Sequence, residues 1–412
     1  MFMKVIDEQE CNSMGDLIHE FDKPAVYWEK LKFLGILVCR FLQKGLEWLP
    51  IRKNRICMIS LTHRGYGDNL KYISEYLKQK GTYEIAWITR YPETCSEIKG
   101  MKVIKARTFK HLSWQFTSNV LFSDDYLYMA LIKRKRQTYI NTWHGGINYK
   151  KVGYEGLLFE TRFQEKHFAI QNEKPEYMVA GSTFFEKNMK TAFRLEHTTF
   201  LRTGLPRNDI LYLGDRHLEK KVQRKLGLEG KKVLIYAPTF RNTGFEDNLF
   251  GLDCERVLKT LEARYGGEWV MLYRAHYFVD STYQSRSPNV MNVSGYNDMQ
   301  ELLLVSDYMI SDYSSSMWDF LLRRKPCIVY APDCERYCQN DRGLTAAGKA
   351  MPFPITTSMD ELIETITKYD EDIEYRKTEQ HLREMGSYDK GTARDELGSL
   401  VERLCTQGEK RE

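Results

Sequence analysis

Short runs of β-branched and aromatic residues alternate with amphipathic helical patterns along most of this chain, and the alternation occurs twice. Residues 56–61, 83–89, 103–104, 120–123 and 137–142 make a first series of strands, with a helical pattern at 69–79. Residues 232–237, 269–273, 290–292, 308–311 and 327–330 make a second, with helices expected at 254–265, 299–305, 315–323 and 359–369. Parallel strands need a long crossover between them, usually a helix, so each series predicts a parallel sheet wrapped by helices. A length of 412 residues holds two such domains, at about 150 residues each, plus a short appendage. The expected class is α/β, with two Rossmann-like, doubly wound domains facing across a cleft.

The seam falls near 203–231, where Gly204-Leu205-Pro206 interrupts the pattern before a charged helix. This divides the chain into an N-terminal segment 1–55, a first domain 56–205 and a second domain 206–412. Ligands of open parallel sheets bind beyond the carboxyl ends of the strands, which directs attention to the loops that follow each strand.

Charge is uneven. Lys and Arg total 61 against 56 Asp and Glu, a net +5. Lys30, Lys32, Arg40, Lys44, Arg52, Lys53 and Arg55 against Glu29 and Glu47 give that same +5 from residues 25–55, so the remainder is neutral and a nucleic-acid partner is not expected. In this segment Tyr27, Leu31, Leu34, Val38, Phe41 and Trp48 recur at helical spacing, and Pro50 closes the pattern. A basic amphipathic helix of this kind suits an anionic membrane surface, or packs on the body of the protein with its basic face solvated. It is too short in apolar residues to span a bilayer, since Arg40 stops the run 33–39. Nine scattered cysteines, an odd number without an N-terminal secretory pattern, fit a reducing cytoplasmic setting better than a disulfide framework. Cys334 and Cys338 lack the second pair or histidine that a zinc site needs, so no metal is expected.

Four loops carry chemistry. Trp143-His144-Gly145-Gly146 follows a strand, placing an imidazole that titrates near neutrality where glycines allow close approach. Arg274-Ala275-His276 and Ala237-Pro238-Thr239-Phe240-Arg241 follow strands of the second series and offer cations for a diphosphate. Asp312-Tyr313-Ser314-Ser315-Ser316 ends a strand in three hydroxyls before a helix, more than one N-cap requires, and reads as a phosphate site. Gly65-Tyr66-Gly67-Asp68-Asn69 lacks the glycine spacing of a dinucleotide fingerprint, so NAD is not expected.

Taken in order, these motifs, together with Gly204-Leu205-Pro206-Arg207-Asn208-Asp209 and Arg342-Gly343, resemble the CDP-glycerol glycerophosphotransferase family of teichoic acid and phosphopolyol polymer synthesis. The resemblance covers nearly everything after the first fifty residues. It implies a GT-B-like fold, a CDP-glycerol or CDP-ribitol donor held mainly by the second domain, and a lipid-linked saccharide or polyol-phosphate acceptor entering from the first. It also implies a peripheral position on the cytoplasmic face of the cell membrane, and no cofactor beyond the donor. Carried over by position, it makes His144 the general base and sets Arg241, His276, Ser314 and Ser315 where the family holds the diphosphate; His276 is also a catalytic candidate. Arg241, Arg274, Asp312, Ser314, Ser315, Ser316, Gly145, Gly146, Arg207 and Asn69 become substrate-binding candidates. Where the family usually reads Thr-Pro after Trp-His-Gly, this chain has Gly146-Ile147. Rival readings of the same motifs are a GT-B glycosyltransferase using a nucleotide sugar and a membrane-associated scaffold without activity.

Overall fold

The computed structural model describes residues 24–61, 65–128, 130–156, 162–171, 173–239, 251–275, 287–334 and 343–406. The first series of strands is β1 (Arg52–Ser60), β2 (Glu84–Thr89), β3 (Lys102–Lys105), β4 (Ser118–Ser123), β5 (Thr138–Asn141), β6 (Tyr177–Val179) and β7 (Thr199–Leu201). They pair in parallel in the order β3-β2-β1-β4-β5-β6-β7. The second series is β8 (Lys232–Ala237), β9 (Trp269–Tyr273), β10 (Val290–Asn292), β11 (Tyr308–Ser311), β12 (Cys327–Tyr330) and β13 (Ile355–Thr356), also parallel, in the order β10-β9-β8-β11-β12-β13. Strand order reverses between β1 and β4 in one sheet and between β8 and β11 in the other. Those two switch points are where a doubly wound sheet opens a crevice for ligand.

Strands β9, β11 and β12 are buried along their whole length, so they carry unbroken apolar runs, as both-face burial demands. Trp87, Phe122 and Ile140 fill the first lobe's core, and Leu272, Met309 and Phe320 the second's.

The chain does not divide at a single point. Helix Ala393–Thr406 returns to the first lobe, where Leu397, Leu400 and Val401 share a core with Ile56, Leu70 and Ile73. Asp209 at the seam holds the start of this helix, accepting from the Ala393 and Arg394 backbone N–H groups at 3.1 and 2.9 Å. The span 206–412 is therefore one lobe plus a strap back to the other, which a boundary drawn from the repeat of patterns does not reveal.

The N-terminal helix runs Pro24–Lys44, ending before the Pro50 expected to close it. It docks through the edge opposite the expected stripe. Phe33 packs 5.3 Å from the His167 ring, Arg40 pairs with Glu173 at 3.0 Å, and Gln43 exchanges hydrogen bonds with the Ala130 carbonyl and the Ile132 N–H. The stripe itself faces outward: Leu34, Val38 and Phe41 are exposed, as are Leu42 and Trp48. No helix among the described residues is long and apolar enough to cross a membrane.

Candidate active site

The loop after β5 is built to present an imidazole. Thr142 continues the ladder by donating to the Ser123 carbonyl, and Asn141 Oδ1 then accepts from the Trp143 N–H at 2.7 Å, turning the chain sharply. Trp143 adopts φ +51°, a left-handed conformation costing about 1–2 kcal/mol outside glycine. Its ring is buried against Phe168 and Phe193, and the His144 ring stacks on it with centroids 4.5 Å apart. His144 Nδ1 lies 3.1 Å from the Asp124 carbonyl at the end of β4. A carbonyl can only accept, so Nδ1 is the donor in this contact, and in the neutral ring Nε2 then carries the lone pair. The side chain is half-buried.

The opposite wall comes from the ends of β8, β9 and β11. Ser311 Oγ donates to the Ala237 carbonyl at 2.6 Å, and both carboxylate oxygens of Asp312 accept from the Thr239 N–H at 3.0 Å. Asp312 thus ties the β8 and β11 loops together. Ser314, Ser315 and Ser316 follow, all half-buried. The Ser314 and Ser316 hydroxyls share a hydrogen at 2.8 Å, while Ser315 precedes helix Ser316–Leu321 without spending its hydroxyl on a cap. Arg274, past β9, donates from Nη1 to the Tyr296 carbonyl at 2.6 Å and has no carboxylate partner among the described residues. Burial lowers its pKa to about 10, so an anion arriving beside it would be strongly favoured.

The two walls meet. A Cβ built on Gly145 would lie 3.4 Å from Ser315 Oγ, which places the His144 loop against the serine turn. The His144-Gly145-Gly146 loop and the Ser314-Ser315-Ser316 turn are therefore neighbours, and Arg274 and Asp312 follow β9 and β11 at one edge of the second sheet. Arg241 and His276 lie outside the described residues.

Arg207 and Asn69, expected to hold substrate, stand in a hydrogen-bonded network at the seam. Arg207 is buried at the seam, with Nη1 2.8 Å from Asp68 Oδ2 in the first lobe and Nη2 2.6 Å from Asp319 Oδ2 in the second. Burial alone would lower its pKa, but Asp319 and Asp68 hold the guanidinium charged and raise it. Asn69 donates from Nδ2 to the Thr142 and Trp143 carbonyls at 3.3 and 3.0 Å, and its Oδ1 accepts from the Arg207 N–H at 3.3 Å. Asp319 also accepts from Gln300 at 2.9 Å and Asn208 at 3.0 Å, and it lies on the helix that begins at the serines. One hydrogen-bonded chain thus runs from the His144 loop through Asn69, Arg207 and Asp319 to the serine helix.

The glycine turn before Asn69 serves the same closure. A Cβ on Gly67 would lie 2.7 Å from the Asn297 carbonyl oxygen of the second lobe. Nearby, Lys71 Nζ pairs with Asp298 and Glu301 across the seam, each at 2.6 Å.

Asp68, Asp319 and Asp389 were missed by sequence reasoning. Each is one carboxylate among many, and only the proximity of Arg207 or the seam backbone gives it a role. A further pointer was the run Arg207-Asn208-Asp209, three polar residues directly after a Gly-Leu-Pro break. All three are buried.

Comparison with known proteins shows which family the chain resembles along most of its length. The CDP-glycerol:poly(glycerophosphate) glycerophosphotransferase family profile matches residues 43–403. The teichoic acid poly(glycerol phosphate) polymerase of Bacillus spizizenii is 27% identical over 355 residues, covering 82% of this chain and 89% of that protein. The teichoic acid glycerol-phosphate transferase of Staphylococcus aureus is 28% identical over 346 residues, covering 80% of this chain and 87% of its own length. Among solved structures, the wall teichoic acid polymerase TagF superposes with a TM-score of 0.79 at 25% identity, covering 94% of this chain and 100% of that one, and its likeness makes the fold GT-B-like.

Asp389 yields a pH dependence. Its Oδ1 accepts from the Leu205 N–H at 2.9 Å at the seam, and burial, with Asp319 adding repulsion, pushes its pKa up to about 7. An unfolded Asp titrates near about 3.9. Between those values the folded chain holds a proton that the unfolded chain has lost, so this group makes stability fall as pH rises through the window. Thermal unfolding at pH 5.5 and pH 8 should show the wild type losing on the order of 2 kcal/mol more than Asp389→Asn over that interval. Equal losses in the two proteins would exclude a raised Asp389.

Proposed function

Because the chain belongs to the CDP-glycerol:poly(glycerophosphate) glycerophosphotransferase family, we propose that the cleft between its lobes is the site of the reaction and that His144 is its general base. The chain transfers a phosphoalcohol, glycerol phosphate or ribitol phosphate, from a CDP-alcohol to an acceptor hydroxyl in teichoic acid synthesis, and CMP is released. In the proposed course the acceptor oxygen attacks the distal phosphorus while His144 Nε2 takes its proton. The bond between that phosphorus and the oxygen bridging to CMP breaks, and its electron pair leaves on CMP. Ser314, Ser315 and Arg274 meet the charge that shifts onto the leaving group, a stabilisation expected to dominate phosphoryl transfer. The proposal assigns Arg241 and His276 to the same diphosphate and needs no cofactor beyond the donor.

The observation that carries this reading is the contact of Gly145 with Ser315. It supports the reading because it brings the His144 loop beside the serine hydroxyls, as attack by a deprotonated acceptor on a diphosphate held there would require. The acceptor is proposed to be a lipid-linked saccharide or growing polymer, and glycerol phosphate the transferred group, in line with the two relatives named above.

A peripheral position on the cytoplasmic face of the cell membrane belongs to the same proposal. It is supported by the outward stripe of Leu34, Val38, Phe41 and Trp48 beside Lys32, Lys44, Arg52 and Lys53, all of them exposed.

Incubated with CDP-glycerol and acceptor, His144→Ala should bind CDP normally while CMP release falls by about 100-fold or more. Near-wild-type turnover would remove His144 from the chemistry. Ser314→Ala combined with Ser315→Ala should weaken CDP binding by about tenfold or more, and unchanged affinity by calorimetry would place the diphosphate elsewhere. For the membrane surface, the protein should co-sediment with anionic liposomes at low salt and release at high salt, and Phe41→Glu with Trp48→Glu should abolish the association. Equal sedimentation of that variant would assign binding to another face.

A further inference from the structure

Trp318 sits on helix Ser316–Leu321, four residues past Ser314, with its side chain fully buried. One edge of its indole fills the space where residue 146 would carry a side chain. A Cβ on Gly146 would lie 2.7 Å from Trp318 Nε1 and 2.9 Å from Cδ1, closer than a real side chain can sit. On the other side, a Cβ on Gly181 would lie 2.4 Å from Gly146 Cα, and Ser182 Oγ donates to the Gly146 carbonyl at 3.0 Å. Gly146 is thus gripped between a turn of the first lobe and the indole of the second, two residues past His144. The indole is backed in turn by the His381 ring, 5.9 Å away between centroids, and His381 Nε2 lies 3.3 Å from the Tyr149 hydroxyl. Tyr149 belongs to the segment that begins at His144, so the packing closes on the same loop.

Close-packed contacts of this kind act as distance gauges, because protein interiors do not absorb a misfit smoothly. A shift of about 1 Å between reacting groups can cost on the order of 100-fold in rate.

We propose that Trp318, seated on Gly146, is a positioning residue for the transfer reaction: it sets how far the His144 imidazole stands from the serine turn that holds the donor diphosphate. Trp318 acts through the loop and not on the substrate. This rests on the reading of His144 as the base, whose own substitution tests that reading separately.

The test is a size-exchange cycle read in CMP release and in CDP-glycerol binding. Gly146→Ala puts a methyl where the indole sits and should lower kcat by about 10- to 100-fold while CDP-glycerol KM changes by less than about threefold. Trp318→Phe removes the indole edge and should lower kcat with CDP affinity unchanged. In Gly146→Ala with Trp318→Phe the methyl enters the vacated space, and kcat should exceed the product of the two single effects by at least about fivefold. Should Gly146→Ala fail to fold, kcat and calorimetric CDP affinity of Trp318→Phe alone decide: lost turnover with retained affinity supports the proposal. Multiplicative effects in the cycle, or parallel losses of turnover, affinity and melting temperature, would overturn it. If those losses occur while His144→Ala still abolishes turnover, the positioning role falls and the base assignment stands.

Discussion

Arg207 is a buried cation with one carboxylate from each lobe on its guanidinium, Asp68 from the first and Asp319 from the second. Removing one partner of such a group leaves an uncompensated buried charge, at a cost of about 3–5 kcal/mol. The lobes therefore have strong reason to stay together at this point. The consequence reaches the cleft because both partners lie next to functional loops. Asp68 precedes Asn69, which holds the carbonyls of Thr142 and Trp143, and Asp319 rides on the helix that opens with the serines. The separation between the His144 loop and the serine turn is inherited from a salt bridge that touches neither.

Among the described residues, the other interlobe contacts include hydrogen bonds such as Lys151 N–H to the Gly343 carbonyl, ionic ties and packed contacts. Lys71 with Asp298 and Glu301 adds a second ionic tie toward the Arg274 side, since Arg274 is anchored on the carbonyl of Tyr296, two residues before Asp298. Trp318 on Gly146 and Tyr149 with His381 add packing directly behind the His144 loop. Ionic ties fix which lobe faces which, whereas packed contacts fix the distance more finely, because dispersion and repulsion vary steeply over fractions of an ångström.

How much of this could be read from the chain alone depended on whether a feature is local. Strands β8 to β12 match the expected ranges residue for residue, and in β9, β11 and β12 every residue is buried, which leaves a dense run of apolar and aromatic residues to read. Strands β6, β7 and β13, two or three residues long, were not anticipated. His144 and the serine run were legible as strand-end groups, since residue type and position suffice to suggest their chemistry. Arg207 and Asn69 stood out in the motifs, but the ion pairs at the seam did not, because the carboxylates that engage Arg207 lie 139 and 112 positions away. The N-terminal helix shows the same limit. Its periodicity was plain, yet the edge that docks on the body is Phe33, Arg40 and Gln43, and the more apolar stripe is left outside.

The central claim is that donor diphosphate and base face each other across the cleft that Arg207 holds shut, and a crystal structure of His144→Ala with CDP-glycerol bound tests it most directly. The account predicts diphosphate oxygens within hydrogen-bond distance of Ser314 or Ser315 and of Arg274, with the glycerol-bearing phosphorus turned toward position 144. A nucleotide seated outside the cleft, or one whose glycerol end points away from that position, would contradict it.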